Sequence, residues 1–416
     1  MLVTYYDSYN VLNKVYSDGA FIKQALLTTV VEERNRPAIT KICYGVLDKD
    51  IELSFIIKSL TQKTPKLAIR TLLKIAIYAI KYLKTPPHAV TDTVVELTKK
   101  LGKSGASGFV NAFIRNYLRN KVSYPEPKGV YGLSINYSCP EFIVKKLIDS
   151  YGEETALNLL KYDEEKTFVR FNDNVNGEEF LKEKGVEFYL TPFDNCFEVK
   201  NFKMQEDFYL GTYTFQSVGS VAIASAFLGG ESVFDACSAP GGKSVLLASK
   251  YKKVVANEVY EHRAKLISSY AERMGKTNVE VVVSDATVLS DKYLNEFSAV
   301  LCDAPCSGTG VIKDNPDIKL NRTENSIKEL TDLQYKILSN VSNYLKVNGR
   351  LVYSTCSILR EENDLVVKKF LENHPNFTVL DIPSKLKGVK TEFGTQFMPH
   401  LSQGAGFYLS VLERKK

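Results

Sequence analysis

Two short runs end apolar stretches with a thiol. They are "DAPCSGTG", residues 303–310, and "STCS", residues 354–357, and they place Cys306 and Cys356 at the ends of two separate strand-like segments. A cysteine in such a place is either a small buried side chain beside a turn or a nucleophile. The nucleophilic reading has a defined chemistry. Carbon 5 of a pyrimidine is too electron-poor to attack an alkylating sulfonium, whereas addition of a thiolate at carbon 6 turns the ring into an enamine whose carbon 5 can attack. A thiolate adds readily and leaves readily, so it can be eliminated once the carbon 5 proton is lost. One thiol suffices for addition; a second would serve as general base or in release. Asp303, when protonated, would donate to the ring and stabilise the charge that develops during addition. The residues alone leave open which thiol attacks.

The thiols need a donor of the group to be transferred. "DACSAPGGKS", residues 235–244, reads as a strand-to-helix turn, with Cys237, Ser238, Ala239, Pro240, Gly241, Gly242 and Lys243 in the turn itself. It matches neither the dinucleotide GxGxxG fingerprint nor the phosphate-binding GxxxxGK[ST] loop. Gly241 and Gly242 either permit close backbone approach to a small ligand or serve a tight structural turn. Glu258 ends the next strand, "VVANE", where a carboxylate can accept hydrogen bonds from both hydroxyls of a ribose, and Asp285 closes the strand after that, "VVVSDA". Three successive strands thus end in a carboxylate, which suits a bound nucleoside. Clustered acids repel a diphosphate and attract the cationic sulfonium of S-adenosylmethionine, so the cofactor expected is that methyl donor.

These strand ends converge only if the strands are neighbours in one sheet. From residue 211 onward strand and helix patterns alternate ("SVFDAC", "KVVANEV", "VEVVVSD", "AVLCDAP", "GRLVYSTCS" separated by amphipathic stretches), which predicts a doubly wound α/β domain over 211–416 with a largely parallel sheet. Ahead of it, residues 124–210 carry a hinge, "YPEPKG", two amphipathic helices, and a strand-helix-strand-strand pattern over roughly 166–205 that predicts a small α+β unit. Residues 1–123 show only helical spacing, and the series at 69, 72, 73, 76, 80 and 83 leaves one helix so little polar face that it belongs at the centre of a bundle. Lys99, Lys100, Lys103, Arg115, Arg119 and Lys121 lie in a stretch without any acidic residue. That stretch is either a solvated face or a phosphate-binding surface.

Bulk properties agree with a multidomain globular protein. A chain of 416 residues exceeds one ordinary core. The net charge of +6 is compatible with a polyanionic partner without demanding one. The greasiest stretch, residues 72–83, is broken by Lys74 and Lys81 and falls short of the roughly 18 residues of a membrane span, so no membrane association is expected. Seven scattered cysteines and no secretory signal point to reduced thiols and a cytoplasmic location. With four histidines and no paired Cys motifs, no metal site is expected.

"DACSAPGGKS", "DAPCSGTG" with the following "VIKDNPDIK", "STCS" and the terminal "MPHLSQGAGFYLSVLERK" together resemble the bacterial RNA 5-methylcytosine methyltransferases of the RsmB (Sun/Fmu) type, and the likeness extends over nearly the whole chain. The resemblance implies a NusB-like all-α RNA-binding bundle over 1–123, linker helices and a small α+β (ferredoxin/RRM-like) RNA-binding unit over 124–210, and a Rossmann-like class I methyltransferase domain over 211–416. It implies methyl transfer from S-adenosylmethionine to carbon 5 of a cytosine in 16S ribosomal RNA, and it implies the roles of the thiols: Cys356 attacks and Cys306 assists resolution of the adduct. The cofactor contacts it implies are residues 237–243, Glu258, Asp285 and Asp303. Glu258 departs from the Asp more usual in relatives, and Asp314-Asn315 stand where relatives often carry a basic residue and a histidine. The expected state is a monomer. Two alternatives remain: the same chemistry on transfer RNA, or an inert RNA-binding assembly factor.

Overall fold

The computed structural model describes residues 1–381 and 384–416. The chain forms two compact units, residues 1–161 with 312–323, and residues 162–311 with 324–416.

The first unit is all helical. Its centre is the helix Leu67–Lys81, in which ten residues are buried, as the apolar spacing requires. Helices Leu2–Asp18, Arg36–Asp48, Asp50–Leu60, Pro87–Lys100 and Ser107–Arg119 surround it and share one apolar core with it. Lys74 lies in the apolar run yet is buried, because its Nζ sits 2.5 Å from Asp50 Oδ1. Tyr16 donates to the same oxygen. Burial lowers the Lys74 pKa and the Asp50 carboxylate partly offsets that. The linker helices Gly129–Tyr137, Glu141–Tyr151 and Glu153–Lys161 belong to this unit. So does the segment after the first thiol motif: Lys319 Nζ lies 2.6 Å from Asp48 Oδ1, and the Ile22 N–H donates to Asp317 Oδ2.

The second unit contains two sheets. The small one is antiparallel, with strands β1 (Thr167–Phe171), β2 (Phe188–Leu190), β3 (Cys196–Val199) and β4 (Tyr213–Phe215) in the order β2-β3-β1-β4. Helix Gly177–Glu183 connects β1 to β2, giving the strand-helix-strand-strand order read from the sequence. β4 follows residue 210 and pairs with β1, so the sheet extends a few residues past the α+β pattern.

The large sheet is the site's scaffold. β5 (Gly230–Asp235), β6 (Tyr251–Glu258), β7 (Val279–Val283), β8 (Phe297–Asp303) and β9 (Leu345–Thr355) are parallel and lie in the order β7-β6-β5-β8-β9. Short strands β10 (Phe377–Val379), β11 (Val389–Lys390) and β12 (Thr395–Phe397) precede β13 (Phe407–Arg414), which runs antiparallel to β9. The strand order reverses between β5 and β8. Ligands of such sheets bind outside the carboxyl ends of the strands at that crevice. Central strands are buried on both faces, which is why they read as continuous Val, Ala and Leu runs.

Candidate active site

The carboxyl ends of β5, β8 and β9 carry Asp235, Asp303 and Thr355, and the thiols follow directly. Cys306 Sγ and Cys356 Sγ are 3.0 Å apart, and both cysteines are half-buried. The two runs that opened the sequence reading therefore meet at one point. The hydrogen bond to Cys356, then burial, then the negative charges of Cys356 and Glu362 push the Cys306 pKa well up. Either sulfur can donate across the 3.0 Å contact, and the shift disfavours the Cys306 thiolate. Burial also pushes up the other thiols: Cys43 and Cys139 to about 12, Cys196 to about 11, and Cys237 and Cys302 upward as well.

Asp303 is held between two donors. Lys243 Nζ lies 2.6 Å from Oδ2, and Ser354 donates to Oδ1 at 2.7 Å. Both oxygens accept hydrogen bonds, and the cationic donor beside Asp303 is Lys243. Burial disfavours the Lys243 charge, but Asp303 outweighs it and raises the Lys243 pKa.

The turn after β5 fits a ligand resting against backbone. Gly241 has φ +106°, and a Cβ there would press on Ile267, so only glycine suits the position. The Ala239–Pro240 peptide is cis. Asp235 accepts from Ser244 through Oδ2 at 2.6 Å, while its Oδ1 is buried with no partner. Burial raises the Asp235 pKa to about 6. A cavity of about 200 Å³ opens over the turn, lined by Asp235, Cys237, Ser238, Ala239, Pro240, Gly242, Lys243 and Asp303 together with Phe215, Gln216, Ser217, Ser220 and Tyr270. Glu258 and Asp285 are not among these lining residues. Glu258 is buried at the end of β6, accepts from Tyr260 N, and has Arg263 3.4 Å away. Asp285 is exposed and caps Thr287 through its N–H and hydroxyl.

The sequence reading missed what fixes the two thiol loops. Glu362 is fully buried, and its carboxylate accepts four hydrogen bonds: Oε1 from Ser307 N (2.7 Å) and Gln334 Nε2 (3.0 Å), Oε2 from the hydroxyls of Ser307 and Ser357 (2.5 Å each). One charge beneath both loops ties the residue after Cys306 to the residue after Cys356. Gly310 packs on Gly406 at the same place: a Cβ on Gly310 would sit 2.1 Å from Gly406 O and 2.9 Å from Cys356 O. The only sequence signal for Glu362 is an acid at the start of "EENDLVV", which ordinarily marks a helix N-terminus. Among the described residues no group of three or more His, Cys, Asp or Glu side chains could hold a metal ion, and no helix is long and apolar enough to cross a membrane.

A parallel sheet with this strand order, a glycine turn at its switch point and carboxylates at its strand ends defines an S-adenosylmethionine-dependent methyltransferase of class I. The family model "16S rRNA methyltransferase RsmB/F" matches residues 223–413, and the "NusB family" model matches residues 7–119. The chain is 30% identical to the probable ribosomal RNA small subunit methyltransferase B of Bacillus subtilis, covering 97% of this chain and 96% of that one. It is 31% identical to ribosomal RNA small subunit methyltransferase B of Pasteurella multocida, covering 92% and 89%. Among solved structures, the crystal structure of PH0851 shares the fold with a TM-score of 0.82 at 23% identity over 99% of this chain and 98% of that one. The chain belongs to the RsmB/F family of 16S rRNA methyltransferases.

Proposed function

We propose that this enzyme transfers a methyl group from S-adenosylmethionine to carbon 5 of a cytosine in 16S ribosomal RNA through a covalent cysteine adduct. The observation that carries the reading is the pair of thiols 3.0 Å apart at the ends of β8 and β9, beside the Lys243–Asp303 pair. Bound cofactor supplies an electrophilic methyl on a sulfonium. Residues 237–243 with Asp235 would hold it, and Glu258 and Asp285 are assigned to its nucleoside end on the strength of their strand-end positions. Asp235 Oδ1, buried without a partner, supports a polar ligand there.

Cys356 attacks carbon 6 of the flipped base. The raised Cys306 pKa supports this order, because it disfavours Cys306 as the attacking thiolate. Asp303 and Lys243 grip the polar edge of the base, with Lys243 as the donor. Once carbon 5 carries the methyl group its proton must pass to a base before Cys356 can leave, and Cys306 is assigned to assist that resolution of the adduct. The base must leave its stack to expose carbon 6. We assign residues 1–123 and 124–210 to RNA docking and 211–416 to catalysis. Lys99, Lys103, Arg115, Arg119 and Lys121 are exposed, which supports phosphate contacts by the first segment. Seven free thiols support a cytoplasmic setting, and the enzyme is read as a monomer.

The test is methyl incorporation into unmodified 16S rRNA together with denaturing gels of enzyme and RNA. Cys356→Ala abolishes incorporation and forms no adduct; Cys306→Ala accumulates a denaturation-stable enzyme–RNA adduct. The opposite pattern reverses the roles. Incorporation into transfer RNA alone, or binding without incorporation, replaces the substrate or the activity.

A further inference from the structure

Beside the glycine turn the cavity lining includes a glutamine, backed by a buried arginine, that the reaction above does not use. Arg170 lies in β1 at 4% exposure, and its Nε donates to Gln216 Oε1 at 2.7 Å. That bond fixes which end of the amide is which, so the Gln216 NH2 group is turned away from the guanidinium. Gln216 follows β4, is 8% exposed and lines the cavity. Its Nε2 is buried and has no hydrogen-bond partner, and neither has Arg170 NH2. Buried donors in folded proteins are almost always satisfied, and a buried guanidinium almost always faces an anion. Among the described residues no carboxylate forms an ion pair with Arg170. Arg273, behind the same wall, gives its N–H groups to Phe208 O, Tyr213 O and Thr214 Oγ1 and likewise pairs with no carboxylate. One idle donor, Gln216 Nε2, therefore belongs to a residue that lines the cavity beside the cofactor turn, and the Arg170 guanidinium backs it.

We infer that Gln216, oriented by Arg170, binds the carboxylate at the amino-acid end of S-adenosylmethionine. This rests on the cofactor reading above. A carboxylate suits the site better than an RNA phosphate does, because Gln216 is nine-tenths buried at the lining of a cavity of about 200 Å³, where a polynucleotide backbone has no room. Gln216 makes the contact. Arg170 is a positioning residue: it sets the amide's orientation and supplies a long-range positive field.

The experiment measures calorimetric affinity, without RNA, for S-adenosylmethionine and for its decarboxylated form, which differs by this one group. Wild-type protein is compared with Gln216→Met, Gln216→Glu and Arg170→Lys, each checked for an unchanged melting transition. Gln216→Met weakens S-adenosylmethionine on the order of tenfold, the value of one hydrogen bond to a charged group, and changes the decarboxylated form less than twofold. Gln216→Glu, which adds repulsion, costs more against the carboxylate form only. Arg170→Lys, which keeps the charge and loses the planar fork, gives a smaller loss of the same selectivity. Equal losses for both ligands, or none for either, overturn the inference. So does a loss confined to RNA affinity, which would hand the site to a phosphate. If wild-type protein binds neither ligand, the cofactor reading fails instead.

Discussion

Replacing Glu362 separates the scaffold under the thiols from the thiols themselves. In Glu362→Ala two N–H donors, Ser307 N and Gln334 Nε2, lose their acceptor and cannot re-aim, at about 1–3 kcal/mol each. The two serine hydroxyls can turn instead to Thr309 Oγ1, already 3.2 and 2.9 Å away, so they add little. With the cavity left behind, the expected loss is about 4 kcal/mol of folding stability. Glu362→Gln keeps the shape: its Oε1 accepts from both N–H groups, and its NH2 donates to the two hydroxyls, which reverse to accept. Only the charge is lost, at about 1–2 kcal/mol. Urea unfolding gives the stabilities, and single-turnover methyl transfer gives the cost in rate. The pH dependence of Cys306 alkylation reads the charge: without the Glu362 anion, Cys306 ionises at lower pH in the Gln variant. An Ala variant within about 0.5 kcal/mol of wild type with full activity, a spread ordinary for inconsequential changes, would refute a holding role for this carboxylate.

Two further changes test other parts of the same site. Asp235 has a folded pKa of about 6 against an ordinary 3.8, so well below pH 3.8 both states hold the proton and it costs nothing. As pH rises from about 4 to about 6 the unfolded chain releases that proton first, and folding loses up to about 3 kcal/mol, a deficit that persists above pH 6. Asp235→Asn in cofactor-free protein should therefore melt higher than wild type at pH 7, with the difference vanishing well below the ordinary carboxyl pKa of 3.8; a uniform shift would dissociate the effect from titration. Gly310→Ala forces a Cβ against the Gly406 and Cys356 carbonyls, so a loss of about 1–3 kcal/mol by thermal melting and a marked fall in methyl transfer are expected. Wild-type values would mean that the loop yields without cost.

The sheet was legible because each strand is an apolar run that ends in a polar residue before a helix. That punctuation also located Asp235, Glu258, Asp285, Asp303, Cys306 and Cys356 without any knowledge of strand order. The bundle's central helix was legible from its unbroken apolar circumference. What stayed hidden were pairings across the chain. Arg170 meets Gln216 across 46 positions and Ser307 meets Glu362 across 55. Each looks ordinary in its own neighbourhood: an arginine alternating out of a strand, a glutamine before a helix, a glutamate at a helix start. The surroundings of Asp303 were hidden for the same reason, since its partner Lys243 lies 60 positions away. Local propensity carries no information about such partners.

The glycine contact beneath the thiols also fixes when the site can exist. Gly310 and Gly406 pack together, and Asn363 is tied by its side chain to Gln396, so both cysteine loops reach their final form only when residues near 407 are in place. Proteins are made from the amino end at roughly 5–20 residues per second, so a growing chain exposes Cys306 roughly 5–20 seconds before the strand that completes its surroundings emerges. Throughout that interval the nascent enzyme is attached to a particle built of the very RNA class it modifies. Placing the closing contact late in the chain keeps the thiol pair unassembled while the ribosome is within reach.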